Sequence, residues 1–97
     1  MDFEIRYGKL RLLRDGHGDN NYPPGIGKLF RRRLQTIDAA PDERTFYQLQ
    51  SLHYEKLKGD RSHQKSMRLN KKYRLILEIE DRDEGNKVHV IDIEDYH

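Results

Sequence analysis

Residues 73–97 read YRLILEIEDRDEGNKVHVIDIEDYH, and two runs of alternating apolar and polar side chains flank a Gly-Asn pair within them. A period of two is typical of a β-strand with one buried face, because successive side chains point to opposite sides of a sheet. The runs predict strands over 73–80 and 88–93, and the residues 81–87 predict a hairpin connection. We therefore expect two adjacent antiparallel strands.

Residues 26–40 predict an amphipathic helix that ends at Pro41. Its apolar positions recur at intervals of three and four residues, which leaves Arg31 to Arg33 mostly on the outer side. The apolar positions are Ile26, Leu29, Phe30, Leu34 and Ile37.

A second helix is predicted to begin at Asp42 and Glu43, because acidic side chains stabilise the first turn of a helix. Its buried side would carry Phe46, Leu49 and Leu52. The two helices are expected to form a hairpin.

Shorter elements complete the predicted fold. Phe3, Ile5 and Tyr7 alternate with polar residues and predict a first strand, residues 15–25 have the composition of a loop, and residues 66–70 predict another strand. The expected class is α+β, a two-helix hairpin packed on a small antiparallel sheet. With 97 residues, we expect one domain spanning 1–97.

Charge is distributed unevenly along the chain. Residues 53–74 contain eight Lys or Arg and two Asp or Glu, whereas residues 75–97 contain two and eight. The formal net charge of +2 therefore conceals a basic block followed by an acidic one. This pattern predicts a centre that binds a polyanion and a separate surface for a basic or polar partner, although charged residues also simply solvate a small domain.

Bulk composition limits the possible classes of protein. The chain has no cysteine, which excludes disulfides and thiolate metal sites. No apolar run is long enough to span a bilayer, and the first residues lack a signal core, so we expect a cytoplasmic protein without a membrane partner. A hydrophobic content of 34% is low and favours a component of a complex.

The predicted last strand delivers three groups that exchange protons to the end of the chain, beside the basic block. RNA cleavage by a ribose 2′-hydroxyl needs a base, an acid and fixed cations, but no metal or other cofactor. His97 and Tyr96 are the candidates for proton transfer, and Asp95 is the candidate for orienting an imidazole or an amide. The candidate phosphate ligands are Lys58, Arg61, Arg68 and Arg74.

Strand parity makes a specific prediction about two of these cations. Arg68 and Arg74 alternate with the apolar residues of their strands, so both should project away from the core and form an exposed cationic face. The alternative interpretation of the tail is that His97 is a frayed terminal residue.

Five short segments of the sequence resemble the HigB branch of the RelE/ParE toxin superfamily. The resemblance rests on the segments Leu52-His53, Lys56-Leu57-Lys58-Gly59-Asp60-Arg61, Ser66-Met67-Arg68-Leu69-Asn70, Tyr73-Arg74-Leu75 and Glu94-Asp95-Tyr96-His97. It implies a type II toxin that cuts messenger RNA in the ribosomal A site. It also implies catalytic roles for His97, Tyr96, Asp95 and His53, and a basic site containing Lys58, Arg61 and Arg74.

The position of His53 departs from the family pattern. Residues 54–56 separate it from Leu57, and this longer spacer predicts either a bulge or a reversal of the strand face.

The resemblance also implies partners. These are a HigA-like helix-turn-helix antitoxin, the ribosome and mRNA, with the toxin monomeric within a hetero-oligomer. The antitoxin would either cover the site or dock on the helix bearing Arg31 to Arg33. Two other functions stay open, namely a toxin of the same fold that acts on DNA gyrase and a degenerate module that only binds nucleic acid.

Overall fold

The computed structural model describes residues 1–95, which form a mixed α and β structure. Short 3₁₀ turns cover Asp19–Asn21, Gln50–Leu52 and Gly59–Arg61. In chain order the main elements are β1 (Asp2–Ile5), α1 (Gly8–Arg14), α2 (Ile26–Ala39), α3 (Arg44–Gln48), β2 (Glu55–Lys56), β3 (Lys65–Arg68), β4 (Tyr73–Arg82) and β5 (Gly85–Asp95).

The five strands form one sheet in the order β1-β5-β4-β3-β2. The last four strands pair antiparallel, which confirms the meander, but β1 pairs parallel to β5. The sheet is therefore mixed at one edge, and the expectation of a purely antiparallel sheet is wrong there. The cause is topological. Helices α1 and α2 lie between β1 and the meander, and the chain enters the meander at β2, which is at the opposite edge of the sheet from β1.

The β4–β5 hairpin is tighter than predicted. Pairing continues to Arg82 and Gly85, so that the turn contains only Asp83 and Glu84. Gly85 has a φ of 109°, a left-handed conformation that favours glycine. The register shifts between Ile76 and Leu77 of β4, which leaves Ile91 as an extra residue of β5, a β-bulge.

The predicted helix over 26–40 is confirmed as α2, and its apolar stripe faces the core. Phe30 and Ile37 are fully buried between the sheet and the helices. The core also contains Leu10, Leu13, Ile26, Phe46, Met67, Leu75, Leu77, Val88 and Val90.

The second predicted helix is shorter than expected. Helix α3 ends at Gln48, because Leu49 leaves the helical conformation with a φ of −83° and a ψ of 89°. Leu49 is 40% exposed, whereas Phe46 and Leu52 are buried as predicted. The second helix was expected to form a hairpin with α2, but α2 packs mainly against α1. There, Arg31 donates to the carbonyl of Leu13 at 2.9 Å.

The three consecutive arginines of α2 have different environments. Arg31 forms a bidentate pair with Asp19, and Arg32 is exposed. The Nε of Arg33 donates to the carbonyl oxygen of Arg68 at 2.9 Å, and burial lowers the pKa of its guanidinium. Arg33 therefore ties α2 to the end of β3, and only Arg32 fits the predicted outward orientation fully.

An aromatic cluster fixes the segment that leads into β2. The ring of Tyr54 packs against Phe46 and Tyr47, and its hydroxyl donates to Glu43 at 2.7 Å. Burial and this hydrogen bond raise the pKa of the Tyr54 phenol. Glu43 also pairs with Lys65 of β3. The chain next to His53 is thereby held against both α3 and the sheet.

Within residues 1–95, no helix combines the length and the apolar character that crossing a membrane would require.

Candidate active site

Four segments meet at one end of the sheet. In the register of the strands, Arg74 lies between Arg68 of β3 and Glu94 of β5, and Tyr73 lies opposite Asp95. The end of β3, the start of β4, the end of β5 and the segment that precedes β2 are consequently neighbours. This convergence brings the basic block close to the C-terminal strand.

A polar cavity of about 260 Å³ opens at this end of the sheet. Three residues from the sequence prediction, His53, Arg68 and Arg74, line it together. They come from a turn and two strands, so that only folding brings them into one site. The remaining lining residues are Glu55, Asn70 and Lys71.

His53 has an unusual backbone conformation. Its φ of 44° and ψ of 49° are left-handed, and it is the only residue other than glycine with a positive φ among residues 1–95. His53 ends the 3₁₀ turn Gln50–Leu52 and precedes β2. The long spacer is therefore accommodated by a turn, and neither a bulge nor a reversed strand face is needed.

The imidazole of His53 contacts Arg68. Its Nε2 lies 3.2 Å from Nη1 of Arg68, and Arg68 Nε donates to the carbonyl of Asn70 at 3.2 Å. Because a guanidinium only donates, Nε2 accepts, and the proton of a neutral His53 belongs on Nδ1. The arrangement leaves a basic nitrogen beside a fixed cation.

Arg74 is buried, contrary to the prediction that it is exposed. Parity places it on the sheet face opposite the core, together with Ser66, but only 7% of its surface is accessible. Its Nε donates to the Ser66 hydroxyl at 2.8 Å, and its Nη2 donates to the carbonyl of His53. Nη2 also lies 3.7 Å from the carboxylate of Glu55. The prediction of an exposed cationic face fails here because the segment around His53 folds over the guanidinium.

The segment that carries the candidate phosphate ligands Lys58 and Arg61, here called the basic loop, lies outside the described lining of the cavity. Lys58 is exposed. Arg61 forms two hydrogen bonds of 2.8 Å with Glu94 of β5 and a third of 2.9 Å with Gln64. The hydrogen bonds to Glu94 raise the pKa of Arg61. A phosphate would have to compete with this carboxylate for Arg61.

Asp95 is the last described residue of β5, and it is exposed. Its carboxylate lies 3.8 Å from the Nζ of Lys72 in the turn between β3 and β4. The predictions for Tyr96 and His97 concern residues outside the described range 1–95. They remain predictions.

Sequence reasoning missed three lining residues, Glu55, Asn70 and Lys71. Asn70 shapes the β3–β4 turn, because its side-chain oxygen accepts from the backbone amides of Lys72 and Tyr73 at 2.8 Å. The run Asn70-Lys71-Lys72 between two alternating segments is typical of a turn, but this signal gave no reason to place the turn in the site. Glu55 is one of only two acidic residues in the basic block, which was the other signal.

No three His, Asp or Glu side chains within residues 1–95 are grouped in a way that would hold a metal ion.

Comparison with known proteins identifies the family. The model for HigB-like toxins, described as RelE-like toxins of type II toxin-antitoxin systems, matches residues 3–97. The chain belongs to the HigB-like toxin family. Membership establishes a toxin of a type II toxin-antitoxin system and implies an antitoxin partner.

Solved structures show the same fold at low sequence identity. A YoeB/ParE toxin from Agrobacterium tumefaciens is similar at a TM-score of 0.60 and 12% identity over the whole of both chains. YafQ from E. coli strain BL21(DE3) is similar at a TM-score of 0.56 and 14% identity, over 97% of this chain and 91% of that one. No curated protein matches this HigB-like toxin in sequence.

Proposed function

We propose that this HigB-like toxin is an endoribonuclease that cleaves mRNA on the ribosome at the cavity lined by His53 and Arg68. The observation that carries the proposal is the contact between a histidine nitrogen that accepts and an arginine that donates, within a polar cavity lined by residues of the basic block. Such a pair supplies a base and a positive charge at one place, as RNA cleavage requires.

The proposed reaction uses the ribose of the substrate as the nucleophile. When RNA binds, the 2′-hydroxyl replaces Nη1 of Arg68 at Nε2 of His53, whose one lone pair is then available to take the hydroxyl proton, and the 2′-oxygen attacks phosphorus. The bond from phosphorus to the 5′-oxygen breaks, and the products are a 2′,3′-cyclic phosphate and a 5′-hydroxyl. Arg68 and Lys71 stabilise the negative charge that develops on the phosphoryl oxygens. The Glu55 carboxylate is a second candidate base in the same cavity.

The acid that protonates the 5′-oxygen is proposed to come from the C-terminal residues. Strand β5 ends at Asp95, opposite Tyr73 and next to Arg74 in the sheet. His97 or Tyr96 would donate the proton, and Asp95 would orient the donor. Lys58 and Arg61 would contact the phosphates that flank the scissile one.

The proposed setting follows from family membership and from the chemistry. The protein would act in the cytoplasm as one domain spanning 1–97 and as a monomer within a hetero-oligomer. Its partners would be the ribosome, mRNA and a HigA-like helix-turn-helix antitoxin.

The test compares two arginine substitutions in cleavage of a defined message by purified protein with ribosomes. Arg68→Ala removes the cation that contacts His53, so the rate should fall by about 100-fold or more. Arg82→Ala removes an arginine at the opposite end of β4, where it pairs with Asp2, and should change the rate less than about threefold.

Equal rates for the two variants would place the chemistry elsewhere. A wild-type protein that leaves messages intact but blocks supercoiling by DNA gyrase would replace the nuclease assignment with a gyrase toxin. Binding of RNA without either effect would indicate a degenerate module.

A further inference from the structure

Two neighbouring cavities lie along the outer side of α1. The cavity at the β5 side has a volume of about 380 Å³ and is lined by Tyr7, Lys9, Ile91, Asp92 and Glu94. The other has a volume of about 290 Å³ and is lined by Lys9, Leu12, His17, Gly18, Asn21 and Tyr22. Lys9 lines both, so together they form one surface, here called the α1 groove. Among the described lining residues, the groove shares none with the cavity proposed for RNA cleavage.

The α1 groove exists because β1 is shorter than the strand with which it pairs. Pairing between β1 and β5 ends at Ile5 and Val90. Beyond that point, residues 91–94 have β4 on one side and, within the described part of the chain, no strand on the other. The chain leaves β1 here to begin α1, which places Tyr7 and Lys9 beside the end of β5.

Two large apolar side chains are exposed at this groove. Tyr7 is 50% exposed and Leu12 is 56% exposed. In residues 1–95, the other large apolar side chains with this degree of exposure are Tyr47 and Leu49, and Tyr47 packs edge-on against Tyr54 at 4.8 Å. Exposed apolar side chains beside cavities that can accept partner side chains are typical of a protein interface.

The charge of the groove favours a basic partner. Asp92 and Glu94 line its β5 end, and Lys9 lies 3.4 Å from Asp92. The pair of Lys9 and Asp92 is largely exposed, so solvent weakens it, and a lysine or arginine of a partner can replace Lys9. The same carboxylates would repel an RNA backbone. The expected occupant is therefore a protein segment with apolar and basic side chains.

The arginines of α2 offer a less suitable surface for such a partner, because two of them already have partners. Arg31 forms a bidentate pair with Asp19, and Arg33 donates to the carbonyl of Arg68. Their positive charge would also disfavour a basic segment.

We propose that the α1 groove is the docking surface of the antitoxin, which packs apolar side chains against Tyr7 and Leu12 and places a lysine or arginine against Asp92. Family membership implies that an antitoxin exists. The inference goes beyond the proposed function, which assigns the antitoxin no surface on this chain.

Hydroxyl-radical footprinting of the wild-type toxin, alone and bound to the antitoxin encoded with it, tests the surface directly. Oxidation of Tyr7 and Leu12 should slow by about fivefold or more in the complex, because the centre of an interface excludes water. Tyr47 and Leu49 are the matched pair, and their oxidation should stay within about twofold of the rate in the free toxin.

Leu12→Lys should weaken the complex, because a long cationic side chain would occupy the groove and repel a basic partner. Leu12 is exposed, so the fold should be retained. We expect the Kd for the immobilised antitoxin, measured by biolayer interferometry, to rise by about tenfold or more. Leu49→Lys changes the net charge equally at the other exposed leucine and should change the Kd less than about twofold.

Lys9→Gln should have the opposite effect. It removes the cation that now pairs with Asp92, so the Kd should fall by about two- to threefold. Lys28→Gln is the control, because it removes an exposed lysine of α2 and changes the net charge equally.

Unchanged oxidation of Tyr7 and Leu12 in the complex would overturn the inference, and so would equal Kd values for Leu12→Lys and Leu49→Lys. Protection of His53 without protection of Tyr7 and Leu12 would place the antitoxin over the cleavage cavity instead. Equal effects of Lys9→Gln and Lys28→Gln would refute the basic contact at Asp92. These measurements contain no RNA, so a failure of the proposed nuclease activity, seen as an intact message, would leave them unaffected.

Discussion

At the scale of single residues, the pairing of Arg61 with Glu94 sets how readily the basic loop can bind RNA. The two side chains are joined by two hydrogen bonds of 2.8 Å and are partly exposed. Bidentate pairs of this kind are stronger than single contacts, yet solvent limits what an exposed pair contributes. Glu94 therefore competes with phosphate for Arg61 at moderate strength.

Replacing Glu94 with glutamine should tighten RNA binding. The amide retains the size of the side chain but loses the charge that holds Arg61, so the arginine becomes available to a phosphate. We expect the Kd for a single-stranded oligonucleotide to fall about two- to fivefold and the salt slope to steepen by about 0.7. Fluorescence anisotropy at several salt concentrations measures both quantities.

Glu84→Gln is the matched control for this prediction. It changes the net charge equally, but it lies in the β4–β5 turn, at the opposite end of these strands from the cavity. Equal shifts in Kd for the two variants would show that only net charge matters and that Glu94 does not restrain Arg61.

The sequence predicted which residue types would lie at the site, but not the contacts that each side chain makes there. Alternation along β3 and β4 correctly placed Arg68 and Arg74 on the face opposite the core. It could not predict the burial of Arg74, because the partners that cover it, Ser66 and the carbonyl of His53, are distant in sequence. The left-handed conformation of His53 likewise has no local signal such as glycine or asparagine.

At the scale of elements, periodicity predicted the long segments and failed for the short ones. Helix α2 and the β4–β5 hairpin are long enough for their apolar spacing to determine both type and orientation. Helix α3 has only five residues, and its end at Gln48 depends on the local turn of Leu49. A short element offers too few residues for a period to identify its boundary.

The parallel pairing of β1 illustrates a second limit of pattern reasoning. Its four residues alternate as expected for a strand, but alternation does not identify the neighbouring strand. That choice depends on where α1 and α2 return the chain. The pairing covers residues 87–90 of β5, the strand whose other end carries Glu94 and Asp95.

At the scale of the whole molecule, pairing of acids with neighbouring donors links stability to pH. Hydrogen bonds from Arg31 lower the pKa of Asp19, and a hydrogen bond from Gln64 lowers that of Glu78. Within residues 1–95, the carboxyls whose pKa lies below its ordinary value are those of Asp2, Asp15, Asp19, Asp42, Glu78 and Glu80.

Acid should therefore destabilise the fold. A carboxyl with a lower pKa in the folded state takes up a proton on unfolding, so its contribution is complete above the unfolded pKa of about 4. The contribution is lost as the pH falls through the folded pKa. We expect the free energy of unfolding, measured with urea and circular dichroism, to decrease from about pH 5 to about pH 3.

Asp19→Asn should make this decrease shallower, because it removes one of the perturbed carboxyls. Asp83→Asn removes a carboxylate of the β4–β5 turn without breaking any of these pairs and should preserve the slope. A free energy of unfolding that does not change with pH in this range would contradict the linkage.

The most direct test of the account is cleavage of a message that carries a single 2′-deoxynucleotide. The deoxynucleotide replaces the nucleotide immediately 5′ of the mapped cut, whose ribose carries the scissile phosphate on its 3′-oxygen. Purified toxin and ribosomes are then added. If His53 activates the 2′-hydroxyl, cleavage at that position should disappear, while the all-ribose message is cut and ends in a 2′,3′-cyclic phosphate. Cutting of the deoxy message at the same position and rate would contradict the proposed mechanism.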